Sequence, residues 1–166
     1  TASVRSPYIY AEENWVDDME LAAAMLAKAN KLSINTAYEY AKQEPLTPWL
    51  GKDTASHYQW YPFINLGHYE LAQQLKGAQR DTILGFYKKG IDAVWQKAKQ
   101  NAFYRGVPFI WCSNNLTTSF AIQCKWYKEL TGDKTYDQLE QANIDWLFGC
   151  NPRGTSMVYG LPNWGD

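Results

Sequence analysis

The sequence predicts an all-α protein in which six helices stack as three hairpins. Apolar residues recur at helical spacing in six separate segments, and no segment shows the alternation that is typical of a strand. Proline, glycine or asparagine follows most of these segments, and short and long connectors alternate between them, which groups the helices as three hairpins. A chain of 166 residues also has the size of one domain with a substantial hydrophobic core.

The first predicted helix covers residues 14–30, with Asn14 as its N-cap. Asp17 and Asp18 follow in the first turn, where carboxylates interact favourably with the positive end of the helix dipole. The spacing predicts one apolar face on this helix. That face comprises Met19, Ala22, Ala23, Leu26 and Ala29.

The second predicted helix covers residues 33–43 and stops before Pro45, because proline cannot continue the hydrogen-bond ladder. A loop then runs to about His57. The third predicted helix covers residues 61–75, since Pro62 suits a first helical turn.

The last three predicted helices carry clear apolar stripes. The fourth has Ile83, Tyr87, Ile91, Val94 and Ala98, and the fifth has Leu116, Phe120, Cys124, Tyr127 and Leu130. Gly132 is expected to end the fifth helix, since glycine readily adopts the left-handed conformation. The sixth is predicted over residues 135–148, with Asp133 as its cap.

Charge and composition exclude several classes of function. A formal net charge of -1 provides no electrostatic footprint for nucleic acid or an anionic membrane surface. No stretch approaches the roughly 20 apolar residues of a membrane-spanning helix. Three cysteines without C-x-x-C spacing indicate neither a disulfide framework nor a zinc site. Eight Trp and twelve Tyr suit aromatic core packing and also concave sites that stack the faces of sugars.

Four stretches resemble glycoside hydrolase family 9: NWVDDMELAAAML, HYQWYPFINLGHYELA, VPFIWCSNNLTTSFAIQCKWY and DWLFGCNPRGTSMVYGLP. The most specific element is Asn151-Pro152, followed by Ser156 and Gly160 at the spacing of the family's N-P-x-x-x-S-Y-V-x-G-F-G signature. The chain departs from that signature at Met157 and at residues 161–162. The resemblance extends over nearly the whole chain in one order.

The resemblance implies about half of an (α/α)6 toroid, namely the C-terminal part of a catalytic domain. Members of this family mostly hydrolyse β-1,4-linked glucans or related oligosaccharides with inversion of configuration. Their Asp base and Glu acid lie in segments that residues 1–166 do not contain. We therefore expect a partial domain that supplies part of a sugar-binding cleft and is inactive by itself. The resemblance also implies a secreted or periplasmic protein.

The candidate substrate-binding residues also come from the resemblance. Trp111 occupies the position of a family Trp that lines the cleft, and Asn115 stands where many members have an Arg; the alternative role of Asn115 is a helix N-cap. Trp15 and Trp60 match aromatic positions near the cleft, although a Trp at a helix entrance also serves as a hydrophobic staple. The full set is Trp111, Asn115, Trp15, Trp60, His57, Arg153 and Tyr159.

No residue is assigned a catalytic or metal-binding role, and no cofactor is expected. Asp53 and His57 have i,i+4 spacing, but the further ligands that zinc needs are not evident. Calcium in the parent protein, near Asp17 or Asp18, is implied by the resemblance alone, because the sequence shows no loop with six to eight oxygen ligands. His68 lies in an apolar helix and is expected to be a hydrogen-bonded core residue.

Two other classes of function remain open at this point. One is a noncatalytic helical module that binds carbohydrate or acts as a scaffold, and the other is a helical toroid enzyme for isoprenoid-like ligands. The interpretation as half of an (α/α)6 toroid also predicts exposed apolar helix faces where the missing hairpins would pack. We therefore expect self-association or a partner chain that contains the other half of the domain.

Overall fold

The computed structural model describes residues 4–6, 8–10, 15–44, 64–110 and 112–161. Apart from two short strands in residues 4–6 and 8–10, the regular structure within these ranges is helical, which confirms the predicted all-α class. The helices are α1 (Val16–Lys28), α2 (Ile34–Ala41), α3 (Leu66–Gln74), α4 (Gly77–Ala98), α5 (Ser113–Thr131) and α6 (Asp137–Leu147). A hairpin of two short strands that was not predicted precedes them: β1 (Val4–Ser6) pairs antiparallel with β2 (Tyr8–Tyr10).

The helices pack as an alternating series. α1 contacts α2, and α5 contacts α6, as expected for hairpins formed by consecutive helices. α3 contacts both α1 and α5, so that the odd-numbered helices lie side by side. Contacts of α2 with α3 and of α4 with α5 add the even-numbered helices to this layer.

The predicted apolar stripes of α4 and α5 form the centre of the core. All five predicted positions on α4 are buried, and on α5 only Leu130 is partly exposed. α5 ends at Gly132, whose φ of +75° is the left-handed conformation expected of a helix C-cap glycine. Leu139 and Trp146 bring α6 onto the same core.

The first helix is oriented differently from its prediction. Its buried residues are Glu20, Ala23 and Ala24, whereas Met19 and Leu26 are exposed. The small alanines allow α1 to approach its neighbours closely, and Glu20 is buried because it pairs with His68 of α3. Hydrophobic spacing alone therefore selected the wrong face of this helix.

Helix boundaries differ from the prediction at three helix starts. Trp15 is the N-cap residue of α1 and makes no capping hydrogen bond from its side chain; Asn14 lies outside the described residues. α3 begins at Leu66, after Asn65 in a left-handed conformation with φ of +64°. α6 has Tyr136 at its N-cap, while Asp133 accepts hydrogen bonds from Thr135 just before the helix. Ser33 does cap α2, through a hydrogen bond from the Asn35 amide.

Candidate functional site

Two loops enclose a pocket of about 380 Å³ at one end of the helices. One loop joins α4 to α5, and the other follows α6 and contains Asn151-Pro152. The size lies within the range of about 300–1,000 Å³ that is typical of sites for small ligands. The lining residues are Arg105, Phe109, Ser113, Asn114, Trp146, Asn151, Pro152, Arg153 and Met157.

The α4–α5 loop is positioned by a close contact with α4. A Cβ atom on Gly106 would lie 2.4 Å from the Val94 carbonyl oxygen, so that only glycine fits this approach. Asn101 fixes the neighbouring residue: its Oδ1 accepts a hydrogen bond from the Arg105 amide at 3.0 Å, and its Nδ2 donates to the Arg105 carbonyl at 2.6 Å. These contacts hold the backbone of Arg105 at the pocket wall.

The second loop is organised by Asn151, which has a structural role. Its Nδ2 donates hydrogen bonds to the carbonyls of Trp146 and Thr155 at 2.9 and 2.7 Å. Its Oδ1 accepts a hydrogen bond from the Arg153 amide at 3.0 Å. The side chain thereby turns the chain back toward the end of α6, where the Met157 amide reaches the Leu147 carbonyl.

Aromatic and cationic groups meet at the pocket wall. The guanidinium carbon of Arg105 lies 4.6 Å from the centre of the Trp146 ring and 5.0 Å from that of Phe109. Phe103 packs edge-on against Trp146, at 5.9 Å between ring centres. Burial of the guanidinium lowers the pKa of Arg105. The wall thus combines flat apolar faces with hydrogen-bond donors, which is a combination that sugar-binding sites use.

Among the residues predicted from the sequence, Arg153 is part of the pocket lining. Asn115 lies one residue beyond the lining residues Ser113 and Asn114, is exposed, and does not cap α5, because Cys112 occupies the N-cap position. Tyr159 follows the second loop and is 93% exposed.

Trp15 is not among the residues that line the pocket. It is 50% exposed and packs edge-on against Tyr40 of α2, at 6.2 Å between ring centres. His57, Trp60 and Trp111 fall outside the described residues. Trp111 is nevertheless next to the pocket in sequence, between the lining residues Phe109 and Ser113.

Sequence reasoning missed Arg105 and Trp146. The position of Trp146 beside the pocket depends on the loop that precedes α5. Arg105 precedes the Gly106–Asn115 connector and has no role in the sequence analysis. A cation directly before a Gly-Val-Pro-Phe run was the available signal, because a charged group in an apolar segment needs a partner or a function.

The described part of the chain contains no cluster of three or more side chains suited to a metal ion. Asp17 and Asp18 lie in the first turn of α1, as predicted, and these residues alone do not make up the oxygen set that calcium requires. No described helix is long and apolar enough to cross a membrane.

Comparison with known proteins identifies a family. The model of the family described as Glycosyl hydrolase family 9 matches residues 1–164. No curated protein and no solved structure matches the chain.

Proposed function

Because the chain belongs to glycoside hydrolase family 9, we propose that the pocket between the two loops forms part of a cleft that binds β-1,4-linked glucans or related oligosaccharides. The observation that carries this proposal is the pocket wall itself. Phe109 is 76% exposed and offers a flat apolar surface, while Ser113 and Asn114 offer groups that hydrogen-bond hydroxyls. This membership also argues against an isoprenoid-like ligand.

The other predicted residues fit the same role. We propose that Trp111 stacks on a sugar ring, since its sequence neighbours line the pocket. Arg153 lines the pocket, and Asn115 lies beside it in the first turn of α5. Both side chains would donate hydrogen bonds to sugar hydroxyls. Trp15, Trp60, His57 and Tyr159 are proposed as more distant contacts of a longer glycan.

Hydrolysis with inversion requires two carboxyl groups about 6.5–9.5 Å apart, one as acid and one as base. The described residues that line the pocket include no Asp or Glu. We therefore propose that the acid and base are contributed by other segments of the catalytic domain. On this proposal the 166-residue protein binds the glycan without turning it over. A noncatalytic carbohydrate-binding module is the second candidate, favoured by the same lack of lining carboxylates.

We also propose that α1 presents the surface on which the rest of a toroid packs. Five large apolar residues in or beside this helix are at least 39% exposed: Trp15, Met19, Met25, Leu26 and Leu32. Such a face favours association in water. The isolated protein would then self-associate, and Leu26→Glu would shift it toward the monomer in light scattering after size exclusion. A monomeric wild type at micromolar concentration would contradict this part of the proposal.

The family assignment further supports a location outside the cytoplasm. We propose that the protein is secreted or periplasmic, where polymeric glucans are accessible.

The test is a titration of the protein with cellotetraose, followed by tryptophan fluorescence, with maltotetraose as the control sugar. We expect saturable quenching by the β-linked sugar only. Asn114→Ala and Trp111→Ala should weaken it, whereas Lys89→Ala, on the exposed surface of α4, should not. Equal responses to both sugars, or the same affinity in all variants, would overturn the proposal. Steady release of sugar by the pure protein would refute the predicted inactivity.

A further inference from the structure

The pocket wall contains a cation without a counter-charge. Nε and Nη1 of Arg105 are shielded from solvent and have no hydrogen-bond partner, and Nη2 reaches only the Pro108 carbonyl at 3.5 Å. No ion pair to Arg105 occurs among the residues with described positions. A buried donor without a partner destabilises the protein, and more so when it is charged.

A second donor at the same place is also unpaired. Nε1 of Trp146 is buried without a hydrogen-bond partner, and the residue as a whole is only 9% exposed. The stacking on Trp146 and Phe109 offsets part of the desolvation of the guanidinium, but it provides no acceptor for its N–H groups. The described residues of the pocket wall therefore leave several buried donors without an acceptor.

The surroundings add positive potential. Arg153 is part of the pocket lining, and Ser113 and Asn114 lie at the start of the 19-residue helix α5, the positive end of its dipole. The described lining contains no Asp or Glu that would repel an anion.

On the basis of the proposed glycan-binding function, we propose that this pocket recognises the carboxylate of an acidic sugar, so that the preferred ligand is a β-linked oligosaccharide that contains a uronic acid. A carboxylate accepts hydrogen bonds from the Arg105 guanidinium, and the pair is stronger than a bond between neutral groups. The exposed ring of Phe109 would contact the face of the same sugar.

The shape of the pocket favours a sugar over a small inorganic anion. Its volume of about 380 Å³ is far larger than a single oxyanion requires, and Phe109, Trp146 and Met157 give it apolar walls. An inorganic anion would leave these walls without contact. A pyranose ring with a carboxylate fills the pocket and satisfies the donors together.

The test compares four ligands by isothermal titration calorimetry on the 166-residue protein. They are glucuronic acid β-1,4-linked to glucose, the neutral disaccharide cellobiose, free glucuronate and inorganic sulfate. We expect the acidic disaccharide to bind at least about tenfold more tightly than cellobiose, as one charge-assisted hydrogen bond supplies. Added sodium chloride should reduce this preference.

Variants test whether Arg105 is responsible. Arg105→Gln should remove the preference for the acidic disaccharide, so that the two disaccharides bind with affinities within about threefold of each other. Lys89→Gln removes a charge outside the pocket and should leave the preference intact. Thermal unfolding verifies that each variant is folded. If Arg105→Gln does not fold, Arg105→Lys keeps the cation without the planar donors and should lose most of the preference.

The outcomes distinguish failure of carboxylate recognition from failure of the glycan-binding function. Equal affinity for the two disaccharides would overturn carboxylate recognition and leave the glycan-binding function in place. Binding of sulfate or free glucuronate as tightly as the acidic disaccharide would overturn recognition of an acidic glycan in favour of a general anion site. Absence of binding by all four ligands would overturn both proposals. A preference that persists in folded Arg105 variants would show that another group is responsible.

Discussion

His68 and Arg105 are two basic side chains with buried nitrogen atoms in very different surroundings. His68 is fully enclosed between α1, α3 and α4, and both of its ring nitrogens have partners. Arg105 stands at the pocket with Nε and Nη1 unpaired. A buried polar group with partners holds elements of the fold together, whereas a buried group without them stores free energy that a ligand can release. The presence or absence of hydrogen-bond partners, and not the depth of burial, thus distinguishes the structural site at His68 from the proposed binding site at Arg105.

The state of His68 follows from its neighbours. Nε2 lies 3.0 Å from the Glu44 carbonyl oxygen, which only accepts, so that Nε2 carries a proton. Nδ1 lies 2.6 Å from Oε1 of Glu20, and with Glu20 as a carboxylate Nδ1 donates to it and the ring is a cation. Burial by itself would lower the pKa of His68, but attraction to Glu20 and the hydrogen bonds outweigh it and raise the pKa.

Glu20→Ala should have the largest effect on stability. It leaves the buried His68 without its carboxylate, and breaking one half of a buried ion pair costs about 3–5 kcal/mol. Urea denaturation measures the loss. Glu39→Ala is the matched control, because the ion pair of Glu39 with Lys42 is exposed and worth about 0.2–1 kcal/mol. Equal losses of unfolding free energy in the two variants would contradict the structural role of the Glu20–His68 pair.

Gly67→Ala tests the close approach that brings the pair together. A Cβ atom at this position would lie 3.0 Å from Cδ of Glu20 and from the Leu21 amide nitrogen. We expect a destabilisation of about 1–3 kcal/mol from overpacking, measured by thermal unfolding. Gly85→Ala provides the comparison within α4: its Cβ would meet no atom within 4 Å, and it should stabilise the helix by about 0.5–1 kcal/mol. An unchanged melting temperature in Gly67→Ala would show that the contact between α1 and α3 adjusts to the added methyl group.

The raised pKa of His68 determines whether stability rises or falls with pH. Because the pKa of His68 is raised above its ordinary 6.5, the contribution of the pair is complete below pH 6.5 and is lost as the pH rises through the folded-state pKa. The free energy of unfolding should fall by at most about 1.4 kcal/mol per pH unit in this range. His68→Gln should abolish this slope. An increase of stability over the same range would contradict a charged His68.

Arg105→Met should have the smallest effect on stability. It removes a charge that lacks a partner and keeps an unbranched side chain between Trp146 and Phe109. We expect the free energy of unfolding to change by less than about 1 kcal/mol in either direction, since replacing poorly paired buried charges is often neutral or stabilising. A loss of more than about 3 kcal/mol in urea would place Arg105 in the same structural class as His68.

The difference between the two sites also explains which features could be read from the sequence. The stripes of α4 and α5 were predictable, because long amphipathic helices bury the residues that recur at helical spacing. His68 was correctly expected to be a core residue with satisfied hydrogen bonds. The partner Glu20 was not, because a glutamate in an apolar helix usually marks the solvent face.

The pocket was less accessible from the sequence, since it joins groups from two distant loops. The signature around Asn151 directed attention to Arg153, and Arg153 does line the pocket. Arg105 and Trp146 are 41 positions apart, and nothing in local spacing indicates their contact. The face of α1 was wrongly predicted for a related reason: periodicity does not reveal which neighbour a helix meets.

The loop organised by Asn151 has a consequence for how the protein reaches its native state. Its hydrogen bonds all close within residues 146–157, so that this wall forms from local contacts, and loops of this length close in about 10–100 ns. The opposite wall is synthesised earlier and cannot complete the pocket until the end of α6 docks on it. A ligand of the pocket therefore binds only chains that have finished folding, and it raises their apparent melting temperature as its concentration exceeds its Kd.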